Sequence, residues 1–327
     1  MCMRKIVVFG ATGDLGRYFI DWLLCHNADY DIYAVGHRKE FHVFDHANNV
    51  LYYSVDITSK EAFSCLPHDV YAIVDFAGMM PARMKGYDPQ KYIDVNITGM
   101  LNILEYGRQN NIDRIFFMQS FGDIKDYGES DILLTAHMPR KFNFASDHTV
   151  YVLTKNFAVD LLKNYHQMYG IKNFIFRLPT IYLYSKQDRY YVDGVEHRIG
   201  YRLLMDKAAS GDTIEVWGDG SRVKDMIYVK DFCQMLHKAL ESDRDGGYYN
   251  VGTGEGTSLL DQIKGIIQVF GNNNPIKLRP DKPNAPQYIM DITPAKIELN
   301  YKPQYDYIAM LKDIKEEMHI QRLYKDM

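Results

Sequence analysis

The stretch KIVVFGATGDLG, residues 5–16, decides the fold. A short apolar run leads into three glycines, Gly10, Gly13 and Gly16, and then into a helical pattern. Glycines on the turn between a first strand and its helix let backbone N–H groups approach a pyrophosphate, and the helix N-terminus favours negative charge. The alternative is a plain glycine-rich turn. We predict a dinucleotide site that is formed by Gly10, Thr12, Gly13, Asp14, Leu15 and Gly16.

Further apolar runs of the same kind follow the first one, with helical patterns between them. One helix begins at Asp88 and Pro89, and another runs from near Asp147 to Gly170. Short, nearly continuous apolar strands that alternate with helices are typical of a parallel sheet covered on both faces. We therefore predict an α/β fold, a Rossmann-like doubly wound parallel sheet with a smaller C-terminal substrate-binding part. The predicted strands are 5–10, 31–36, 50–56, 71–78, 114–120 and 173–179.

The pattern changes after residue 180. Residues 182–200 are polar and aromatic and predict a loop that leads into a helix. Residues 212–229 predict two short strands around a glycine-rich turn, and the irregular C-terminal part ends in a predicted helix near 307–320. We predict a dinucleotide-binding domain at 1–180, to which 220–260 returns, and a smaller substrate-binding domain built from 181–219 and 261–327.

Composition argues against several classes of protein. The 327 residues are 46% hydrophobic with a net charge of -4, so neither nucleic acid nor an anionic membrane surface is the expected partner. The chain enters a strand without a signal peptide, and no apolar run reaches the ~18 residues of a membrane span. We predict a cytoplasmic protein without a metal site, because no HExxH motif occurs and the cysteines are scattered as Cys2, Cys25, Cys65 and Cys233.

The end of the second strand bears on the choice of dinucleotide. A carboxylate usually lies about 20 residues beyond the glycines and binds the adenosine ribose. Here His37, Arg38 and Lys39 occupy that place, and Arg38 with one of its neighbours can accept a 2′-phosphate. This favours NADP over NAD, the alternative being a solvated basic turn. Asp56, followed by Ile57, is predicted to reach the adenine.

One spacing of tyrosine and lysine occurs three times. In each pair the lysine lies four positions after the tyrosine, and the pairs are Tyr87/Lys91, Tyr151/Lys155 and Tyr182/Lys186. Residues four apart share a face only within a helix. Pro89 places Tyr87 ahead of a helix, and Pro179 places Tyr182 in a loop after a strand. Only Tyr151 and Lys155 lie inside a long amphipathic pattern, so they are the predicted catalytic pair.

The chemistry of such a pair is proton transfer. A phenol has a pKa of about 10, and a nearby ammonium or a positive nicotinamide lowers it. The Tyr151 phenolate can then take a proton from a substrate hydroxyl while hydride leaves to the cofactor. Ser120 ends a predicted strand at the carboxyl edge of the sheet, where ligands bind in such folds, and is predicted to hold the substrate oxygen.

These residues resemble a known family. The chain is similar over nearly its whole length to the extended short-chain dehydrogenase/reductase family, the NAD(P)-dependent nucleotide-sugar epimerases and dehydratases. The resemblance rests on GATGDLG, on Ser120 and on YVLTK thirty-one residues later. Further matching stretches are DFAG (75–78), where the family has a His-x-Ala-Ala-like sequence, NITG (96–99), FRLPTIY (176–182), WGDGSRVKDMIYVKD (217–231), YYNVGTG (248–254) and MDITPAKIELNYKP (290–303).

The resemblance implies a role for each matching residue. Tyr151 would be the catalytic acid/base, Lys155 would bind the nicotinamide ribose and lower the Tyr151 pKa, and Ser120 would bind the reacting oxygen. Trp217 would cover the nucleotide base, the alternative being a core aromatic. Further implied cofactor contacts are Phe76, Ala77, Gly78, Asn96, which would support the active-site helix, and Pro179, near the carboxamide; Met80 and Thr180 would face the substrate.

The chain also departs from the family pattern. Phe121 and Gly122 follow Ser120 where dehydratases carry Asp-Glu, which disfavours a 4,6-dehydratase. A diphosphate-binding arginine is Lys224 here, with Arg222 near it, and lysine gives charge without a bidentate fork. A second such arginine falls on Asp281, which Arg279 and Lys282 flank; the alternative for these bases is an exposed charged loop.

The function expected from this resemblance is a nucleotide-sugar epimerase with NADP or NAD as cofactor. One alternative is an NADPH-dependent reductase of a 4-keto nucleotide sugar or another carbonyl, which the Arg38 cluster favours. A second is a dinucleotide-binding sensor without catalysis, which has no need of Ser120, Tyr151 and Lys155. The family resemblance also implies a homodimer formed by the helices that hold NITGML and TVYVLTK.

Overall fold

A computed structural model describes residues 3–26, 29–128, 132–146, 148–192, 194–271 and 273–325; Cys2 and Asp147 therefore lie outside the described residues. The strands are β1 Arg4–Phe9, β2 Tyr30–Gly36, β3 Val50–Ser54, β4 Ala72–Asp75, β5 Arg114–Ser120, β6 Leu133–Leu134, β7 Lys172–Leu178, β8 Ile181–Tyr182, β9 Arg189–Val192, β10 Val195–Arg198, β11 Ile214–Trp217, β12 Val223–Asp225, β13 Ile227–Tyr228, β14 Gly246–Asn250, β15 Gly256–Ser258, β16 Ile276–Arg279 and β17 Ile289–Met290. The helices are α1 Asp14–Cys25, α2 Pro89–Ile93, α3 Gly99–Gln109, α4 Thr149–Tyr169, α5 Gly200–Ala209, α6 Val229–Leu240, α7 Leu259–Phe270, α8 Thr293–Leu299 and α9 Tyr307–Ile320. Among these helices, none has the length and apolar character needed to cross a membrane.

Seven parallel strands form the central sheet, in the order β14, β7, β5, β4, β1, β2, β3. The six predicted strands are all present, and the predicted Rossmann-like fold is confirmed. The order reverses at β1, which pairs with β2 on one side and β4 on the other. Ligands of open α/β sheets bind at the carboxyl edge beside such a reversal, where Asp75 and Ser120 end their strands and Gly10 directly follows β1.

Both faces of the inner strands β1, β4, β5 and β7 are largely buried, which explains why these strands are mostly apolar. Alternate residues of one strand enter opposite halves of the core. Val7 and Ile73 pack with Ile103 of α3 and Leu162 of α4 on one face. Residues such as Ile6, Val74 and Phe116 pack on the other face with Phe19 and Leu23 of α1 and Phe232 and Leu236 of α6.

The helix bounds of the active-site region follow local signals. Asp88 caps α2 by accepting a hydrogen bond from the Gln90 N–H. Gly170 ends α4 with a φ of 71°, a left-handed conformation that glycine adopts without strain. Helix α9 also lies where the sequence predicts it. The predicted division into two domains remains a prediction, although β14 does add an edge strand to the sheet.

The segment at 182–200 differs from its prediction. It leads into a helix, α5, but it also contains an antiparallel hairpin of β9 and β10, with Gly194 in its turn at a φ of 75°. Most residues of β9 are half-buried and most of β10 are exposed, and neither strand shows the alternation of apolar and polar residues that predicts a strand. The strands β11 and β12 were predicted, but they pair with the distant β16 and β15.

Candidate active site

The turn after β1 forms a cradle that only glycine permits. Gly10 has a φ of 73°, and a Cβ there would lie 2.7 Å from the Ala77 nitrogen. A Cβ at Gly16 would lie 2.5 Å from the Gly10 carbonyl oxygen, which α1 could not accommodate. The first N–H groups of a helix have no partner inside the helix. The close packing brings the start of α1 to the sheet edge, and the cradle fits a dinucleotide pyrophosphate.

Asp14, at the start of α1, is held by residues distant in sequence. Its carboxylate accepts hydrogen bonds from the Ser185 hydroxyl at 3.0 Å and the Tyr324 hydroxyl at 2.8 Å, and it pairs with Arg83 at 3.0 Å. Sequence reasoning missed these partners. The carboxylate is therefore occupied, which leaves the backbone N–H of the cradle to face an anion. Of the other predicted cradle residues, Thr12 is buried and Leu15 packs against the core.

The basic turn after β2 lies at the predicted place for the adenosine. His37 is exposed and Arg38 is half-buried; the Arg38 carbonyl oxygen accepts a hydrogen bond of 2.6 Å from the Tyr52 hydroxyl. Asp56 accepts two bonds from Thr58, which lower its pKa. Ile57 packs against Gly99, where a Cβ would lie 2.7 Å from the Ile57 Cδ1. These positions remain predicted cofactor contacts.

Ser120 and Tyr151 are brought together. Ser120 ends β5, and its Oγ accepts a hydrogen bond of 3.0 Å from the Gly122 N–H, which fixes the rotamer of the serine. Tyr151 lies in the first turn of α4, with its hydroxyl close to the Ser120 side chain. Burial raises the pKa of Tyr151, and the Ser120 hydroxyl opposes that effect. The expected lowering of this pKa is therefore not produced by the protein groups around the phenol, because desolvation outweighs them.

Lys155 lies one turn further along α4 and is 6% exposed. Its Nζ is 4.5 Å from the centre of the Phe117 ring. Burial lowers the pKa of Lys155, and the charge of Asp75 raises it. The other two Tyr/Lys pairs are not on a shared helix face: Tyr87 precedes α2, and Tyr182 lies on β8.

Asn96 connects the active-site helix to the turn after β4. Its side-chain nitrogen donates to the Met79 carbonyl oxygen and to the Thr154 hydroxyl, each at 3.1 Å, and its Oδ1 accepts from the Met79 N–H at 2.8 Å. Asn96 lies in a π-helical turn at Asp94–Thr98, a feature that is frequent at functional sites. The arrangement is consistent with the predicted support of α4.

Several predicted contacts follow the ends of strands around this cleft. Phe76 and Ala77 are partly buried after β4, and Gly78 is close to Lys155, since a Cβ there would lie 3.4 Å from the Lys155 Nζ. Met80 and Thr180 are exposed, and Pro179 is buried after β7.

A buried ion pair fixes the turn that follows Ser120. Asp123 accepts two hydrogen bonds of 2.9 Å from Arg177 of β7. The same guanidinium donates to the Ala136 carbonyl oxygen at 2.9 Å and to the Asn250 side chain at 3.1 Å. Both side chains are almost fully buried, so the pair lies in a low dielectric and its geometry is well defined.

The predicted substrate contacts lie on the C-terminal part of the chain. The half-buried Lys224 of β12 has its Nζ 5.4 Å from the centre of the Tyr288 ring, and that ring lies 4.8 Å from the ring of Phe121 beside Ser120. Burial lowers the pKa of Lys224, and among the described residues we find no carboxylate paired with it. Arg222 contacts the Ala285 carbonyl oxygen at 3.5 Å.

Trp217 is a surface residue, so its interpretation as a core aromatic is wrong. It is 50% exposed at the end of β11, and the Lys282 Nζ lies 5.7 Å from its ring. The second family arginine corresponds to Asp281 here. Arg279 is not a free cation that could take its place, because it pairs with Glu215 at 2.7 Å and with Asp281 at 2.8 Å. Within the described part of the chain, no cluster of side chains could hold a metal ion.

Comparisons with known proteins agree with this geometry. The model of the NAD dependent epimerase/dehydratase family matches residues 6–252. A putative UDP-glucose 4-epimerase of Methanocaldococcus jannaschii is 28% identical over 94% of this chain and 96% of its own. A dTDP-4-dehydro-6-deoxy-D-allose reductase of Streptomyces bikiniensis is 25% identical over 92% of each chain. The crystal structure of Thermotoga maritima UDP-glucose 4-epimerase with UDP-glucose superimposes with a TM-score of 0.76 at 22% identity, covering 97% of this chain and 99% of that one.

Proposed function

Because this chain belongs to the NAD dependent epimerase/dehydratase family, we propose that it is a nucleotide-sugar epimerase that transiently oxidises a sugar hydroxyl. It is an NAD(P)-dependent oxidoreductase or isomerase with a small-molecule substrate. The observation that carries the proposal is the meeting of Ser120, Tyr151 and Lys155 at the sheet edge beside the glycine cradle. A binding protein without catalysis has no use for that arrangement.

Each active-site residue has a separate role in the proposed reaction. When bound, the dinucleotide supplies a nicotinamide ring that accepts and returns hydride. Ser120 holds the reacting oxygen, and Tyr151 takes its proton and later gives it back. Lys155 holds the nicotinamide ribose and contributes positive charge near the phenol. Since burial raises the Tyr151 pKa, positive charge in the loaded site favours the phenolate that proton removal requires.

The nucleotide would be held away from the reacting carbon. Lys224 has no carboxylate partner among the described residues and favours an anion, and a diphosphate satisfies it together with Arg222. The exposed face of Trp217 suits stacking on a base, with Lys282 beside it. Met80 and Thr180 would then face the sugar. Attachment at the nucleotide leaves the sugar free to turn, so that its second face meets the cofactor.

An assay that measures both the sugar products and the amount of reduced cofactor tests the proposal. The protein is incubated with NAD, NADP or NADPH and with UDP-, dTDP-, GDP- and CDP-sugars, 4-keto sugars included, and the sugars are separated afterwards. We expect interconversion of two epimers with no net change at about 340 nm, the reduced-nicotinamide band that net hydride transfer consumes. A stoichiometric loss of that band with a reduced sugar would instead identify a reductase. No conversion with any of these sugars would contradict both.

The reductase remains the second candidate. The basic turn at Arg38 favours it, because NADPH is the usual reductant in biosynthesis and carries the 2′-phosphate that arginine binds. A relative at 25% identity is named as a dTDP-keto-sugar reductase. The same cleft serves either reaction. Tyr151 donates its proton to the substrate when a ketone is reduced, and it accepts a proton from the substrate when a hydroxyl is oxidised.

The preference for NADP gives a prediction at Arg38. Replacing Arg38 with alanine should weaken NADP binding about 10- to 100-fold, because one charge-assisted bond to a phosphate contributes roughly 1.5–3 kcal/mol. NAD lacks the phosphate and serves as the control ligand, so its dissociation constant should stay within a factor of about two. Isothermal titration calorimetry measures both constants. An equal loss for both dinucleotides would show that Arg38 does not read the 2′-phosphate.

We also propose a homodimer through the outer faces of α3 and α4. Leu101, Leu153 and Phe157 are apolar and exposed there, with Phe157 at 46%. Contiguous exposed apolar side chains are typical of an interface. A Phe157→Glu variant should raise the dimer dissociation constant about 100-fold or more, because each copy would bury an unpaired charge.

Analytical ultracentrifugation measures the dimer, with Ile297→Glu as the matched control. Ile297 is 77% exposed on α8, away from the proposed interface, so that variant should sediment like the unchanged protein. Equal sedimentation of both variants would exclude this face as the interface.

A further inference from the structure

The last residue of β4, Asp75, is a buried carboxylate with no role in the proposed reaction as described above. Asp75 is 3% exposed and lies in register between Phe9 of β1 and Phe117 of β5. Its Oδ1 accepts a hydrogen bond of 2.9 Å from the Ala77 N–H. It opens the stretch DFAG, where the resembling family carries a histidine. A carboxylate at this position is therefore a feature of this chain that needs its own explanation.

The face of the sheet on which Asp75 lies is the one that α4 covers. Ile73, two residues earlier on β4, packs in the same cluster as Ala158 and Leu162 of α4. The Lys155 Nζ lies 4.5 Å above the ring of Phe117, the register partner of Asp75. The turn that Asp75 begins also reaches Lys155, because a Cβ at Gly78 would lie 3.4 Å from the Nζ. The two opposite charges therefore lie on the same wall of the cleft, near Phe117 and Gly78, without a direct ion pair between them.

The two buried charges attract each other. Burial lowers the pKa of Lys155, and among the described residues Asp75 is the charge that raises it. Burial raises the pKa of Asp75 to about 6, and Lys155 and the Ala77 N–H oppose that effect. Asp75 is therefore ionised above neutral pH. A buried ammonium without a counter-charge tends to lose its proton, and a carboxylate nearby prevents this.

We propose that Asp75 is a positioning residue for Lys155: its carboxylate attracts the buried ammonium toward the end of β4 and keeps it charged. The proposal deepens the proposed function, since it rests on the role given there to Lys155. The groups facing this pair are few. Strands β1 and β5 contribute Phe9 and Phe117, the π-helical turn contributes the neutral Asn96, and α4 contributes Tyr151 one turn before Lys155.

A titration of Lys155 tests the proposal without sugar or turnover. The protein is labelled with [ε-13C]lysine, the Lys155 signal is assigned by its loss in Lys155→Met, and its midpoint is followed by NMR against pH. In Asp75→Asn the amide still accepts from the Ala77 N–H, so only the charge is removed. The Lys155 midpoint should fall by about one pH unit or more, the effect of one close opposite charge.

Two further variants complete the experiment. Asp75→His, which places the family's residue at this position, should lower the midpoint at least as far and provides a second folded test. Asp31→Asn removes a carboxylate from β2, which β1 separates from β4 in the sheet, and should leave the midpoint unchanged. A Lys155 midpoint that is the same in the Asp75 variants and the unchanged protein would overturn the proposal, whatever the enzyme's substrate proves to be. A fall of equal size in Asp31→Asn would overturn it as well.

Discussion

Replacing Tyr151 with phenylalanine is expected to reduce sugar turnover about 100- to 10,000-fold, the usual contribution of one positioned acid/base. The variant keeps the aromatic ring in the first turn of α4 and removes only the phenol oxygen, which is close to Ser120. Dinucleotide binding should remain, because the glycine cradle lies on a different turn, after β1. Steady-state kinetics with the converted sugar and calorimetry with NAD and NADP measure the two effects separately.

Tyr87 offers a matched control for this variant. It belongs to the look-alike pair Tyr87/Lys91, is 55% exposed and precedes α2, so Tyr87→Phe should leave kcat and KM unchanged. The comparison separates the chemistry of one phenol from the general effect of losing a tyrosine hydroxyl. Turnover by Tyr151→Phe near that of Tyr87→Phe would refute the assignment of Tyr151 as the acid/base. A joint loss of turnover and dinucleotide binding would point to misfolding instead.

Replacing Asp123 with alanine is expected to destabilise the fold by about 3–5 kcal/mol, the usual cost of removing one partner from a buried ion pair. Arg177 would keep its charge within the core with only carbonyl and amide oxygens as acceptors. The turn after Ser120 would lose its attachment to β7 at the same time. Urea unfolding curves with equal slopes give the difference in free energy.

Asp126 serves as the control for Asp123. It lies on the same turn but is exposed, so Asp126→Ala should change the free energy of unfolding by no more than about 0.5 kcal/mol. Replacing Asp123 and Arg177 together, with leucine and methionine, should recover part of the loss, because no charge is then left unpaired. An Asp123→Ala protein as stable as Asp126→Ala would contradict the structural role of the pair.

The sequence predicted the features that depend on neighbours along the chain. The six sheet strands were visible because strands buried on both faces are apolar throughout, and the glycine turn because its backbone tolerates no Cβ. The choice of Tyr151 and Lys155 needed only the helical context. Their approach to Ser120 followed from the rule that parallel strands end at one edge.

Features that depend on distant contacts were not visible. Asp14 is held by Tyr324 and Ser185, which chain spacing does not connect to it. The hairpin of β9 and β10 has one half-buried and one largely exposed strand, and neither shows a regular apolar period. Asp75 is visible in the sequence as a carboxylate at the end of an apolar strand. Its proposed role could not be predicted, because that role depends on the approach of Lys155 from α4. The sign of the Tyr151 pKa shift depends on burial, which the spacing of residues does not give.

The central claim is that the protein removes hydrogen from a sugar carbon and returns it to the same carbon. A nucleotide sugar carrying deuterium at that carbon tests this most directly, with the products analysed by NMR and mass spectrometry after reaction in ordinary water. We predict an epimer that keeps the deuterium, because the nicotinamide holds it between the two transfers. An epimer in which deuterium has been replaced by solvent hydrogen would contradict the claim, since it would show proton abstraction from carbon instead.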